Sequence, residues 1–293
     1  MSASKAIFIL VHGGWHDRSS WHRVTPLLEA RGFGVMTLDL PGAGANAVRP
    51  RALDARPFDS VAFATERSPI AELTQEERTQ AVVALVREAA SRSDGKVILV
   101  GHSAGGMTVS AVAELVPHLL RAAVYLAGFM VPHGQPLLAM LMHESMASAL
   151  APRLFIGDPM AIGATRIHAG STDQSYRALL KASFYADLSD ADADQAAAHL
   201  HHDESNAGAL APSAISPERF GTVPRHYIRC TQDCAVPLPG QDHMIASVDA
   251  TIGNNTLTHT LESSHSPFLS QPAALAAILV EIADQTLAKQ GSA

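Results

Sequence analysis

The chain has 293 residues, 47% hydrophobic and 17% charged, with a formal net charge of -7. That balance supports a buried core, argues against disorder, and sets an acidic surface against any phosphate backbone, so nucleic acid is excluded as a partner. The longest early apolar run, Ala6 to Val11, is too short to span a bilayer or to act as a signal core, so a cytoplasmic chain with no membrane association is expected.

Short β-branched runs alternate with helical patterns. Ile7 to Val11, Val35 to Leu38, Val97 to Val100 and Ala123 to Leu126 read as buried parallel strands. Ser20 precedes a helical stretch that stops at Gly32, and Thr74 with Glu77 forms a capping box before Val82, Val83 and Val86. Residues 43–68, rich in Ala, Arg and Pro, read as an extended surface loop. After Leu126 the alternation breaks, and residues 130–222 read as helices and loops without a strand. It resumes at His226 to Cys230, passes a helical stretch near Gln241 to Val248 and the strand Thr256 to Leu261, and ends in an amphipathic helix carrying Leu275, Ile278, Leu279 and Ile282. The expected architecture is α/β: a mostly parallel central sheet covered by helices on both faces, built from 1–129 and 223–293, with a helical lid inserted over 130–222.

Strand Val97 to Val100 runs into Gly101-His102-Ser103-Ala104-Gly105-Gly106 and then a helix-compatible stretch. Strand, Gly-x-Ser-x-Gly, helix is the pattern that holds a serine hydroxyl on a tight turn, with glycines removing the side chains that would collide. Ala104 then offers a backbone N–H at a helix start, where it can stabilise an oxyanion. His12-Gly13-Gly14-Trp15, after the first strand, makes Gly14 the candidate second donor and His12 a brace for the oxyanion loop.

Fifteen histidines leave the base to be chosen by position. A nucleophile on such an elbow takes its partners in the order acid, then histidine, on loops after late strands. His265 follows the strand Thr256 to Leu261, whereas His259 lies within it and His102 adjoins the serine itself. Asp233 directly follows the strand His226 to Cys230, and Asp249 and Asp242 read as solvent-facing. Ser103 as nucleophile, His265 as base and Asp233 as orienting acid need neither a metal nor an organic cofactor. Cys230 and Cys234 lack the second pair of a zinc site and read as reduced thiols, and the cluster His199, His201, His202, Asp203 and Glu204 reads as solvated lid surface.

Through Val11 to Trp15, Trp21, Leu38 to Gly42, Gly101 to Gly106, Thr231 to Asp233 with Pro237, and His265, the chain resembles the branch of the α/β-hydrolase superfamily that holds plant methylesterases, hydroxynitrile lyases and bacterial carboxylesterases such as pyrethroid hydrolases. The resemblance implies the α/β-hydrolase fold and ester hydrolysis. The lyases of this branch carry a threonine where Gly13 stands and a lysine where Ser266 stands, so cyanogenic lyase activity is not implied.

The expected reaction is hydrolysis of small to medium apolar carboxylic esters through an acyl-enzyme. Trp15, Phe129, Met130, Met140 and Met142 are candidate substrate-binding residues, although the methionines serve equally well as lid packing. The same triad acting on a lactone, a thioester or a carbon–carbon bond stays open, as does a ligand-binding receptor on the same fold. The expected partner is a small-molecule ester, and a homodimer stays open.

Overall fold

Period-two alternation along the first strand divides the core in two. In the computed structural model, which describes residues 6–288 and so omits the ends of the two expected core segments, strand β1 (Ile7–Val11) sends Phe8 and Leu10 into one apolar cluster and Ile7, Ile9 and Val11 into another. Strands β2 (Gly34–Thr37), β3 (Val97–His102) and β4 (Leu120–Leu126) follow, then β5 (Ala164–Arg166) and β6 (Asp203–Ser205) in the insertion, then β7 (Arg225–Cys230) and β8 (Leu257–Leu261). The main sheet is six-stranded in the order β2-β1-β3-β4-β7-β8, and every neighbouring pair is parallel.

Parallel strands need crossovers, and these put helices on both faces. Leu275, Leu279 and Ile282 of the helix Pro272–Ala288 cover the Phe8 face, while Val82, Val83 and Val86 of Gln75–Ser91 and Val109 and Val112 of Gly105–Leu115 cover the other. Each of these fully buried side chains contributes about 1.5 to 3 kcal/mol by leaving water. The helix Gln75–Ser91 starts at the expected Thr74–Glu77 capping box. β8, at the sheet edge, is mostly exposed, which suits its Thr258 and Thr260.

Three expectations are corrected. The first helical stretch is not capped by Ser20: Asp17 caps a short turn over Arg18–Trp21, and the helix is confined to Thr25–Glu29. Residues 43–68 are not an extended loop but contain turns at Gly44–Asn46 and Arg51–Asp54 and a helix at Ser60–Thr65, with Ala52, Leu53 and Phe63 packed together. The insertion is not strandless, because β5 and β6 pair antiparallel beside helices that include Gln174–Phe184 and Asp190–Ala197. One buried pair explains the last two differences. Arg166 on β5 binds Asp203 on β6 through two bonds of 2.6 and 2.7 Å, places its guanidinium 5.1 Å from the Phe63 ring centroid, and donates to the carbonyls of Phe63 and Glu66. The cation locks the hairpin and folds the earlier segment onto it. Among the described residues no helix is long and apolar enough to cross a membrane.

Candidate active site

Ser103 has φ 51° at the junction between β3 and the helix Gly105–Leu115, a left-handed conformation that costs a non-glycine residue about 1 to 3 kcal/mol. The turn is held by its own backbone: the Ser103 N–H donates to Leu126 at 3.2 Å, and its carbonyl accepts from Gly106 at 3.0 Å and Phe129 at 2.9 Å. A Cβ on Gly101 would lie 2.5 Å from Val109 Cγ2 and 2.7 Å from the Gly105 carbonyl oxygen, and one on Gly105 would lie 2.6 Å from the His12 carbonyl oxygen. The glycine spacing is thus a steric requirement of the elbow.

The loop after β1 lies against this elbow. A Cβ on Gly13 would sit 2.8 Å from Ser103 Cβ, and one on Gly14 would sit 3.7 Å from Ala104 Cβ. Among the described residues neither the Gly14 nor the Ala104 backbone N–H has an acceptor. Two histidines brace the loop. His12 Nδ1 donates to the Gly13 carbonyl at 2.9 Å while its Nε2 accepts the Leu40 N–H at 3.1 Å. His16 Nδ1 donates to the Gly14 carbonyl at 2.8 Å while its Nε2 lies 3.0 Å from the Tyr185 hydroxyl. Burial lowers the His12 pKa and pushes that of His16 down to about 3, so both are neutral and each can donate from one nitrogen and accept at the other.

Asp233 and His265 meet because the loops after β7 and β8 run side by side, with Thr231 N–H donating to Leu261 and Gln232 N–H to Ser263 at 3.0 Å each. His265 Nδ1 lies 2.7 Å from Asp233 Oδ2, and Asp233 Oδ1 accepts the Ala235 and Val236 N–H groups at 2.7 and 2.8 Å. Both side chains are buried. A carboxylate so placed fixes the proton on Nδ1 and leaves Nε2 for chemistry. His265 reaches the elbow through His102, whose ring centroid is 4.5 Å away and whose Nε2 lies 2.9 Å from the His265 carbonyl oxygen. Among the described residues the Ser103 hydroxyl makes no hydrogen bond, as is common where a catalytic contact tightens only around substrate. Asp187, from the insertion, holds the base loop by accepting the Ser264 N–H at 3.0 Å and the Ser264 hydroxyl.

The model of the alpha/beta hydrolase family matches residues 8–278, which contain every site residue described in the three preceding paragraphs. The chain belongs to this family. Salicylic acid-binding protein 2 of Nicotiana tabacum is 30% identical over 94% of this α/β-hydrolase and 96% of its own length. Polyneuridine aldehyde esterase of Rauvolfia serpentina is 28% identical over 94% of the chain and 95% of its own length. Putative methylesterase 11, chloroplastic, of Arabidopsis thaliana is 29% identical over 94% of the chain, which spans 63% of that longer protein. Among solved structures, a pyrethroid hydrolase from Sphingobium faniae superposes with a TM-score of 0.72 at 22% identity, covering 95% of this chain and 97% of the other, and shares the fold.

The expected substrate-binding residues of this α/β-hydrolase go to different places. Trp15 stays near the site, its ring 5.8 Å from Phe184, which in turn lies 5.9 Å from His265. Phe129 and Met140 pack together with Val236, beside the acid loop. Met130 is instead consumed by the core beneath the sheet, with Tyr125 and Tyr227, and Met142 is 79% exposed, so neither matches a substrate-lining role. Nothing in the sequence distinguishes Phe184 from a residue that packs a helix, because it sits among apolar neighbours at the end of Gln174–Phe184. The cluster expected to be solvated is corrected at four of its five residues, His199 alone being exposed: Asp203 binds Arg166, His201 Nε2 accepts the Gly44 N–H at 2.7 Å, His202 Nδ1 donates to the Ile167 carbonyl at 3.1 Å, and Glu204 pairs with Arg78. Asp249, expected to face solvent, accepts from Arg225 at 3.1 Å.

Proposed function

We propose that this chain is a serine esterase that cleaves small to medium apolar carboxylic esters through an acyl-enzyme on Ser103. The observation that carries the reading is the buried 2.7 Å Asp233–His265 bond, with the His265 ring 4.5 Å from that of His102, the residue preceding the left-handed Ser103 in the elbow. His265 Nε2 takes the Ser103 proton as the hydroxyl oxygen attacks the ester carbonyl. Asp233 holds the tautomer and steadies the imidazolium, and the N–H groups of Gly14 and Ala104 hold the oxyanion. Collapse of the tetrahedral intermediate expels the alcohol, which receives the proton from His265. Water then enters, gives a proton to His265 and releases the acid by the same route.

The substrate class is supported by the aromatic side chains Trp15, Phe155 and Phe184 grouped at the base, and by relatives whose names are esterase and methylesterase. Cyanogenic lyase chemistry is disfavoured by space as well as by residue type: a Cβ at Gly13 would fall 2.7 Å from His102 Nδ1, so the lyases' threonine does not fit without displacing the elbow. The test is Ser103→Ala. Turnover of p-nitrophenyl acetate disappears while the thermal melt stays that of the parent, and retained turnover refutes the reading.

A further inference from the structure

We propose that Glu204, from the insertion, is a positioning residue that sets the aim of the oxyanion loop by accepting the backbone N–H of Trp15; the inference rests on the serine-esterase reading.

Trp15 directly follows Gly14 and is, among the described residues, one of three non-glycine residues with positive φ, at 59°. Such a conformation persists only where surrounding contacts determine it. Here the inserted hairpin takes hold of all three polar handles of the residue. The N–H of Trp15 donates to Glu204 Oε2 at 3.2 Å, its carbonyl accepts the His201 N–H at 2.7 Å, and its indole N–H donates to the Thr165 carbonyl at 3.1 Å. Thr165 lies on β5, Glu204 on β6 and His201 just before β6.

Glu204 has a second attachment that makes it a fixed point. Its Oε1 pairs with Arg78 of the helix Gln75–Ser91, and the two side chains are only 18% and 8% exposed. The carboxylate therefore ties three separate parts of the molecule together: the inserted hairpin, a core helix and the oxyanion loop. A Cβ on Gly14 would meet Glu204 Cγ and Oε2 at 3.6 Å and Ala104 Cβ at 3.7 Å. The loop thus lies close to both the carboxylate and Ala104, and a shift of Glu204 carries the Trp15 N–H, and with it the adjoining Gly14, away from its present angle.

Charge fits this placement. Glu204, Arg78, Gly14, Ala104 and Thr108 all line one small cavity. A bare carboxylate there would oppose a developing oxyanion, and the guanidinium neutralises it. What remains is a rigid acceptor without a repelling field.

The test compares two double variants that both remove the ion pair: Arg78→Met/Glu204→Met and Arg78→Gln/Glu204→Gln. Neither leaves a stranded charge, and only the glutamine pair keeps an acceptor for the Trp15 N–H. The readouts are kcat and KM for p-nitrophenyl acetate and the inhibition constant of an aryl trifluoromethyl ketone, which places an oxyanion in the hole when Ser103 adds to it. The methionine pair is expected to lower kcat by about tenfold or more with little change in KM, and to weaken the ketone in proportion. The glutamine pair recovers most of that loss. Equal kinetics in the two variants, or an unchanged kcat in the methionine pair, overturns the inference. Should the methionine pair fail to fold, Glu204→Asp keeps the charge for Arg78 while withdrawing the acceptor by one methylene, and the same fall in kcat is expected; parental kcat overturns the inference. Ser103→Ala keeps the two readings apart. Turnover that survives Ser103→Ala sinks the esterase reading, whereas an inert Ser103→Ala with equal double variants sinks only the role of Glu204.

Discussion

Asp233 and His265 are 32 positions apart in the chain and 2.7 Å apart in the fold. The bond is buried, and the second carboxylate oxygen is already occupied by two backbone N–H groups, so the imidazole has one orientation available. Asp233→Asn keeps the shape but presents an amide where a proton acceptor is needed. It should lower kcat by about 10³ to 10⁴-fold, with a much smaller change in KM, measured with a p-nitrophenyl ester near neutral pH. A kcat within tenfold of the parent would show that the orientation of the base does not depend on this carboxylate.

Gly101 is required by contact with Val109 and the Gly105 carbonyl, both inside 3 Å of an added Cβ. Gly101→Ala therefore pushes the elbow open. Overpacking of this kind costs about 1 to 3 kcal/mol, read as a lower urea midpoint at constant slope, and activity falls further than stability because Ser103 moves. Gly32→Ala is the control for stability: nothing lies within 4 Å of its added Cβ, and only its φ of 85° is penalised.

The pH dependence of stability follows from the buried neutral histidines. Burial lowers His12, takes His16 down to about 3 and holds His102 well below its ordinary 6.5. The unfolded chain takes up protons on these rings near pH 6.5, and the folded one only at lower pH, for His16 near 3. Their contribution is therefore complete above pH 6.5 and is lost as pH falls toward the folded values, by about 1.4 kcal/mol per pH unit for His16 between about pH 6.5 and 3. Urea midpoints should fall between about pH 7 and pH 5, and more gently in His16→Gln, which removes one of the rings. An identical pH slope in the variant would contradict the assignment.

Phe184 is nearly fully buried and lies between Trp15 and His265, so on the esterase reading proposed above its ring forms the apolar wall beside the acyl or alcohol group of a bound ester. Phe184→Leu should raise KM for a bulky apolar ester by about tenfold, corresponding to about 1.4 kcal/mol of lost apolar contact, and change KM for p-nitrophenyl acetate less. Equal changes for both esters would mean that the ring serves packing alone.

What the sequence disclosed divides along a physical line. The main strands are apolar runs that need no partner to be recognised, and the Gly101-x-Ser103-x-Gly105 spacing follows from clashes within a few residues, so both were legible. His265 was legible by its place after β8. The inserted hairpin was not, because strands of three residues carry no periodicity and Arg166 stabilises them through Asp203 and Phe63, far off in the chain. Glu204 and His201 looked like solvated polar residues for the same reason: their partners Arg78, Trp15 and Gly44 are brought to them only by the completed fold. Met142 misled because hydrophobicity does not say which side of a short helix meets water, and it ended in solvent.

The most direct measurement is to treat the folded protein with a fluorophosphonate and map the adduct by peptide mass spectrometry, in the parent and in His265→Ala. One covalent adduct per chain on the peptide that contains Ser103, formed at least about a hundredfold more slowly without the imidazole, is the predicted result. No adduct in the parent, an adduct on a different residue, or an undiminished rate in His265→Ala would contradict a serine activated by that histidine.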